Sequence, residues 1–264
     1  MIQHTPYFSY AFSGDALVDT GRMRTSNQDE VVLCPEEGFY AVLDGMGGLH
    51  GGGRTSAMIK QILPGAIQQA IAGLKKEDSP PYAAELLAGQ VRMISDTIYN
   101  TANKGHRAGF GSTLSGVWLT GRHAIFVNLG DSRGYLLPRY KKKIRQITRD
   151  HNVAAILVED GELTREQARN HPGSSQLTRF AGMTAPATPD VFIQEVHPGD
   201  RILLCSDGLH GMIDDTLLPH LMRSSRNPTH VCKRLINEAN TRGGRDNISA
   251  VYLQISTNKY KRHG

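Results

Sequence analysis

The chain has 264 residues, 39% hydrophobic and 21% charged, which is ordinary for a soluble globular protein of one large domain or two small ones. Its 30 Lys and Arg against 25 Asp and Glu leave a charge of +5, too modest to indicate nucleic-acid binding, and no nucleic-acid motif accompanies it. No apolar run approaches the roughly 20 residues of a membrane helix, and Met1-Ile2-Gln3-His4-Thr5-Pro6 lacks the layout of a secretory signal. A cytoplasmic, monomeric protein without nucleic-acid or membrane partners is expected.

Residues 7–12 read as a first strand. A polar run follows, Asp19-Thr20-Gly21-Arg22-Met23-Arg24-Thr25-Ser26-Asn27-Gln28-Asp29, and then strands over 31–33 and 39–43 joined by a turn at 35–38. The spacing of Ile59, Ile62, Leu63, Ala66, Ile67, Ala70, Ile71 and Leu74 predicts an amphipathic helix that Pro64 should kink or divide. Ser79-Pro80-Pro81 precedes a second helix with Leu87, Val91, Ile94 and Ile98 on its apolar face; Met58 and Met93 read as packing.

From Gly111 the period becomes strand-like, with strands predicted over 114–119, 124–129, 135–137 and 144–147 and connections short enough for antiparallel pairing. Asn152 is placed to cap a short helix over 153–158, and Thr164-Arg165-Glu166-Gln167 has the layout of a capping box, with His171-Pro172 as the stop. Residues 150–190, polar and rich in Gly, Pro and Thr, are expected to form a mobile flap within one domain spanning 1–264. A buried strand over 201–205, helices over 214–223 and 229–241, and a last strand over 248–255 complete the chain. Cys34, Cys205 and Cys232 have neither paired nor metal-like spacing and read as core thiols. Lys141-Lys142-Lys143 and Lys259-Tyr260-Lys261-Arg262 read as solvated surface, with attraction of acidic, phosphorylated partners as the weaker reading.

The informative feature is a repeated junction. Phe39-Tyr40-Ala41-Val42-Leu43 stops abruptly at Asp44-Gly45-Met46-Gly47-Gly48, and similar designs recur at Gly130-Asp131, Ser206-Asp207-Gly208 and Arg245-Asp246-Asn247. One Asp-Gly is most simply a turn; four such stretches point to a shared site. If Asp29, Asp44, Asp207 and Asp246 converge with Asp131 nearby, mutual repulsion must be relieved by protons or cations. These stretches hold no cysteine, and no histidine pair has zinc spacing. All-oxygen donors with glycine carbonyls select Mg²⁺ or Mn²⁺. Two such ions roughly 3.5–4 Å apart would hold a water, lower its pKa and aim it at phosphorus.

These stretches, together with Gly111-Ser112-Thr113-Leu114, Gly130-Asp131-Ser132-Arg133-Gly134-Tyr135, Thr148-Arg149-Asp150-His151, Leu177-Thr178-Arg179 and Leu204-Cys205-Ser206-Asp207-Gly208-Leu209, identify a resemblance. The chain resembles the metal-dependent serine/threonine protein phosphatases of the type 2C family, in their short bacterial form, over roughly residues 19–253. The resemblance implies an α+β fold, a four-layer α/β/β/α sandwich of two mainly antiparallel sheets flanked by helix pairs. It implies that Arg24 grips the substrate phosphate and that Asp44 is shared by two Mn²⁺ or Mg²⁺ ions, with the Gly45 carbonyl completing one shell. Asp207 and Asp246 would bind the first ion, Asp29 would be a ligand or stand just behind one, and Asp131 with Asp207 would form a weaker third site. Asn247 is expected to orient Asp246 or a metal-bound water. The implied reaction is direct in-line attack of a bridging hydroxide on phosphoserine or phosphothreonine without a phosphoenzyme, with Arg24, Asp44 and Asp207 as the catalytic set. Phosphoproteins and a bacterial serine/threonine kinase acting in opposition are the implied partners.

Departures from the family pattern are local. Met46 stands where eukaryotic members often carry a histidine that protonates the leaving alkoxide, which leaves metal-bound water as the alternative donor. Gln28 replaces a frequent glutamate and lowers the negative charge at the second metal; Gly53 and Ser175 replace a common acidic residue and a common asparagine. His151 reads as an anchor of the flap rather than a catalytic group. A phosphoprotein-binding regulator of the same fold without turnover is the rival reading, and its signature, a lost metal carboxylate, is missing.

Overall fold

The computed structural model describes residues 3, 5, 7–75, 78–103, 109–184, 186–224 and 228–257; the basic cluster at 259–262 lies outside them. Strands β1 (Ala11–Asp19), β2 (Asp29–Cys34) and β3 (Phe39–Met46) precede helices α1 (Gly48–Ala72) and α2 (Pro80–Ile98). Then come β4 (Gly111–Ser112), β5 (Leu114–Thr120), β6 (His123–Leu129), β7 (Arg133–Leu137), β8 (Arg145–Gln146), α3 (Val153–Glu159) and α4 (Arg165–Arg169). The remainder is β9 (Asp190–Glu195), β10 (Arg201–Cys205), α5 (Asp207–His210), α6 (Leu218–Arg223), α7 (Val231–Thr241) and β11 (Ile248–Ser256).

The strands form two sheets, β1-β11-β10-β7-β8 and β2-β3-β5-β6-β9, the second with β4 added to β3. Every strand ladder is antiparallel. Side-chain alternation along each strand explains why the sequence runs read as continuously apolar. Phe39, Ala41 and Leu43 face α1 and α2, where Ile59, Leu63, Ile67, Leu87, Val91 and Ile94 complete an outer core. Tyr40 and Val42 point the other way, into the core between the sheets with Phe126, Leu204 and Val251. β11 divides likewise: Ile248, Ala250 and Tyr252 pack under α5, α6 and α7, whereas Val251, Leu253 and Ile255 join the inter-sheet core. Helix, sheet, sheet and helix form the four expected layers.

Several expectations need correction. The first strand begins at Ala11 and runs to Asp19, because β11 pairs with all nine of its residues; residues 7–10 form turns and an isolated bridge. Pro64 does not divide α1, which continues to Ala72. It is half-buried, and the helix carries the one backbone bond it cannot make. Met93 is 47% exposed rather than packed. α6 begins at Leu218, after turns, instead of at Asp214. Asn152 does cap α3, accepting the Ala155 N–H at 2.9 Å, and Thr164 with Gln167 closes a capping box at α4. All three cysteines are free and buried.

Candidate active site

β2 and β3 set the first two carboxylates opposite one another, since Asp29 and Asp44 are partners in the ladder. β10 delivers Asp207 at the start of α5. Asp131 lies in the turn between β6 and β7, and Asp246 just ahead of β11. The five are close enough to act on one another electrostatically. Asp44 is pushed well above the usual carboxylate range by burial first, and then by Asp29, Asp207, Asp131 and Asp246. Burial raises Asp29 to about 7, with Asp207 and Asp246 adding to the rise against partial relief from the Ser206 and Ser249 hydroxyls. Burial followed by Asp246 raises Asp207, and burial followed by Asp207 and Asp150 raises Asp131.

Neighbouring loops hold these groups in place. The Asp44 N–H donates to Thr113 Oγ1 at 3.0 Å, the Thr113 N–H donates to the Asp44 carbonyl at 2.8 Å, and Thr113 Oγ1 meets Ser132 Oγ at 2.7 Å. Thr113 thus ties the Asp44 strand end to the Asp131 turn, a role that its place beside an apolar run does not disclose. His210, buried and pushed down to about 3 by burial and Arg133, is neutral, and its Nε2 lies 3.0 Å from the Asp131 carbonyl. His151 accepts the Gly130 N–H at Nδ1, at 3.1 Å, and its Nε2 faces Asp190 at 3.2 Å. Asp190 also receives Arg179 at 2.7 Å, so His151 is an anchor for the residue 150–190 segment.

Beside Asp131, a half-buried network extends away from the cluster. Arg133 donates from Nε and Nη2 to both oxygens of Asp150, at 2.7–3.1 Å, and from Nη1 to Tyr135 OH. Burial alone would raise Asp150, but Arg133 overcomes it and holds the carboxylate below its ordinary range. A cavity of about 830 Å³ opens here, bounded by Asp131 and Asp207 on one side and by α3 and α4 on the other.

Arg24 also reaches the site, where its Nη2 donates to Asp246 Oδ2 at 2.7 Å. Asn247 touches both Asp246 and the Arg24 loop. Its backbone N–H binds Asp246 Oδ1 at 2.8 Å, but its side chain serves the Arg24 loop. Asn247 Nδ2 donates to the Thr20 and Ser26 carbonyls at 3.0 and 2.9 Å, and Oδ1 accepts the Gln28 N–H at 2.9 Å. Gly45 is required by packing: a Cβ there would stand 2.3 Å from the Gly52 carbonyl oxygen, where α1 starts against the strand end. Gln28 reaches the same spot, its Oε1 lying 2.7 Å from a Cβ built at Gly52. Met46 pairs with Gly111 at the end of β3, and the Ser175 hydroxyl donates to the Pro172 carbonyl at 3.1 Å.

The donor set suits hard divalent cations. Both oxygens of Asp29 and Oδ1 of Asp207 are buried without a well-formed hydrogen-bond partner, which is costly for oxygens of this charge unless a cation or proton meets them. Among the described residues, no group of three or more His, Cys, Asp or Glu side chains is placed to hold a metal ion by itself. Mg²⁺ needs none, because it keeps several waters and takes one or two carboxylates.

Residues 21–239 match the model of the protein phosphatase 2C family. The serine/threonine phosphatase stp of Listeria monocytogenes is 30% identical over 239 residues, 89% of this chain and 93% of that protein. The serine/threonine protein phosphatase PstP of Mycobacterium tuberculosis is 33% identical over 241 residues, 90% of this chain and 44% of that longer protein. Among solved structures, the catalytic domain of PstP in complex with two manganese ions superposes with a TM-score of 0.74 at 26% identity, covering 93% of this chain and 98% of that one. Together with the sandwich fold and its carboxylate cluster, these matches give one conclusion: the chain belongs to the protein phosphatase 2C family.

Proposed function

We propose that this protein is a metal-dependent phosphatase of phosphoserine and phosphothreonine in proteins, acting through the five-aspartate cluster. The observation that carries the reading is the gathering of Asp29, Asp44, Asp131 and Asp207, which burial and one another's charge push above the usual carboxylate range, around buried oxygens without well-formed hydrogen-bond partners, in a chain whose relatives carry the name serine/threonine phosphatase. Asp44 would be shared by two Mn²⁺ or Mg²⁺ ions, with the Gly45 carbonyl completing one shell, Asp207 and Asp246 on the first ion and Asp29 a ligand or directly behind one. Asp131 and Asp207 would make a weaker third site. When bound, such ions supply Lewis acidity, lowering the pKa of water and neutralising phosphate charge.

The chain's own residues orient the substrate. Arg24, 57% exposed at its side chain, can turn its planar guanidinium from Asp246 to two phosphate oxygens. Asn247 fixes the loop from which Arg24 extends, and Thr113 keeps Asp44 in register with the Asp131 turn. Residues 150–190 act as the flap, with His151 and Arg179 holding its base on Asp190. The same reading includes a cognate serine/threonine kinase and a cytoplasmic site of action; among the described residues no helix is long and apolar enough to cross a membrane. Phosphate release from a phosphothreonine peptide tests it: release requires Mn²⁺ or Mg²⁺ and stops with EDTA. Metal-independent release, or none at millimolar Mn²⁺, would refute it.

A further inference from the structure

We propose that Arg22 and Arg245 form a basic rim that selects phosphoproteins with acidic residues flanking the phosphorylated side chain; this rests on the phosphatase reading above. The two arginines come from segments more than two hundred positions apart that are locked together by backbone. The N–H groups of Arg22 and Met23 both donate to the Gly244 carbonyl, at 2.7 and 3.2 Å. Gly21 and Gly244 have φ of +79° and +49°, and a Cβ on Gly21 would stand 2.1 Å from the Asp246 carbonyl oxygen. Only glycine permits that approach. Asn247 clamps the same loop at Thr20, Ser26 and Gln28. Arg22 and Arg245 are therefore presented from a fixed frame beside Arg24 and Asp246.

Their charges are uncompensated, unlike those of neighbouring arginines. Arg24 is paired with Asp246 and Arg242 with Glu238. Arg22 and Arg245 are both exposed, and among the described residues neither has an ion-pair partner. Met23, 72% exposed, stands between Arg22 and Arg24 and offers an adaptable apolar contact to a peptide side chain. Guanidinium forks match carboxylates bidentately, and a pre-ordered loop lowers the entropic cost of binding. A segment docked with its phosphate at Arg24 places its flanking residues over this rim.

The test uses the full chain with Mn²⁺ at low ionic strength and two phosphothreonine peptides that differ only in carrying Asp or Lys at the flanking positions. p-Nitrophenyl phosphate, which has no flanks, is the control. kcat/KM for the acidic peptide is expected to exceed that for the basic one by roughly tenfold, the scale of two favourable surface pairs unscreened by salt. Arg22→Glu/Arg245→Glu should reverse that order while hydrolysis of the ester stays within about twofold of the parent. Equal rates on the two peptides, or an unchanged ratio in the variant, overturns the rim while ester hydrolysis leaves the phosphatase reading intact. Failure on the ester and both peptides alike overturns the phosphatase reading and the rim with it.

Discussion

Asp29→Asn is expected to stabilise the chelator-treated protein at alkaline pH while removing much of its response to Mn²⁺. Asp29 is 4% exposed, and its carboxylate oxygens lack well-formed partners. Burial, with Asp207 and Asp246, raises its pKa from 3.8 to about 7. The folded protein therefore holds the Asp29 proton more tightly than the unfolded chain does. That contribution to stability is present in acid and is lost as the pH rises through about 7. Above that pH the ionised group costs at most about 4.5 kcal/mol, at roughly 1.4 kcal/mol per pKa unit over the rise from 3.8 to about 7. Asparagine cannot ionise, so the variant escapes this cost at pH 8, and its advantage shrinks toward pH 5. Urea unfolding reports this directly through Trp118, the single tryptophan, buried under α1 and α2 with its indole N–H on the Glu37 carbonyl at 3.0 Å. In EDTA the variant's midpoint should exceed the parent's at pH 8 by more than at pH 5. In saturating Mn²⁺ the order should invert, because binding to the native state stabilises by mass action. A variant less stable than the parent in EDTA at pH 8, or equally stabilised by Mn²⁺, would refute the reasoning.

Asn247→Ala removes the bonds to the Gln28 N–H and the Thr20 and Ser26 carbonyls; it should cost about 2–3 kcal/mol in denaturant unfolding. It should raise KM for phosphopeptide, with an effect that does not add to that of Arg24→Ala in a double-mutant cycle. Arg133→Ala leaves Asp150, 11% exposed at its side chain, buried without its cation, and should cost about 3–5 kcal/mol in the same assay.

The layers were legible because alternation along the strands feeds two cores at once. Phe39, Ala41 and Leu43 serve one, Tyr40 and Val42 the other, so the run is apolar throughout and bounded by turn residues. β1 was misplaced because Gly14 and Asp15 are poor strand formers; β11 recruits them through nine paired residues, a tertiary effect that local preference cannot register. Pro64 does not end α1 for a similar reason, since packing of the helix face around it on β3 outweighs one lost hydrogen bond. At the site, the aspartates were readable from their repeated setting at the ends of apolar runs. The partners that place them were not. Thr113 to Ser132 and Asn247 to Thr20 and Ser26 are contacts between distant segments, and no spacing in the chain encodes them. Arg24 resting on Asp246 is likewise a product of the loop's fixed path against Gly244.

Anomalous diffraction from crystals soaked in Mn²⁺ tests the central claim most directly. Two peaks flanking the Asp44 carboxylate, within coordination distance of Asp207 and Asp246, are the predicted result. A map without density at Asp44, or with manganese only at remote surface carboxylates, would contradict it.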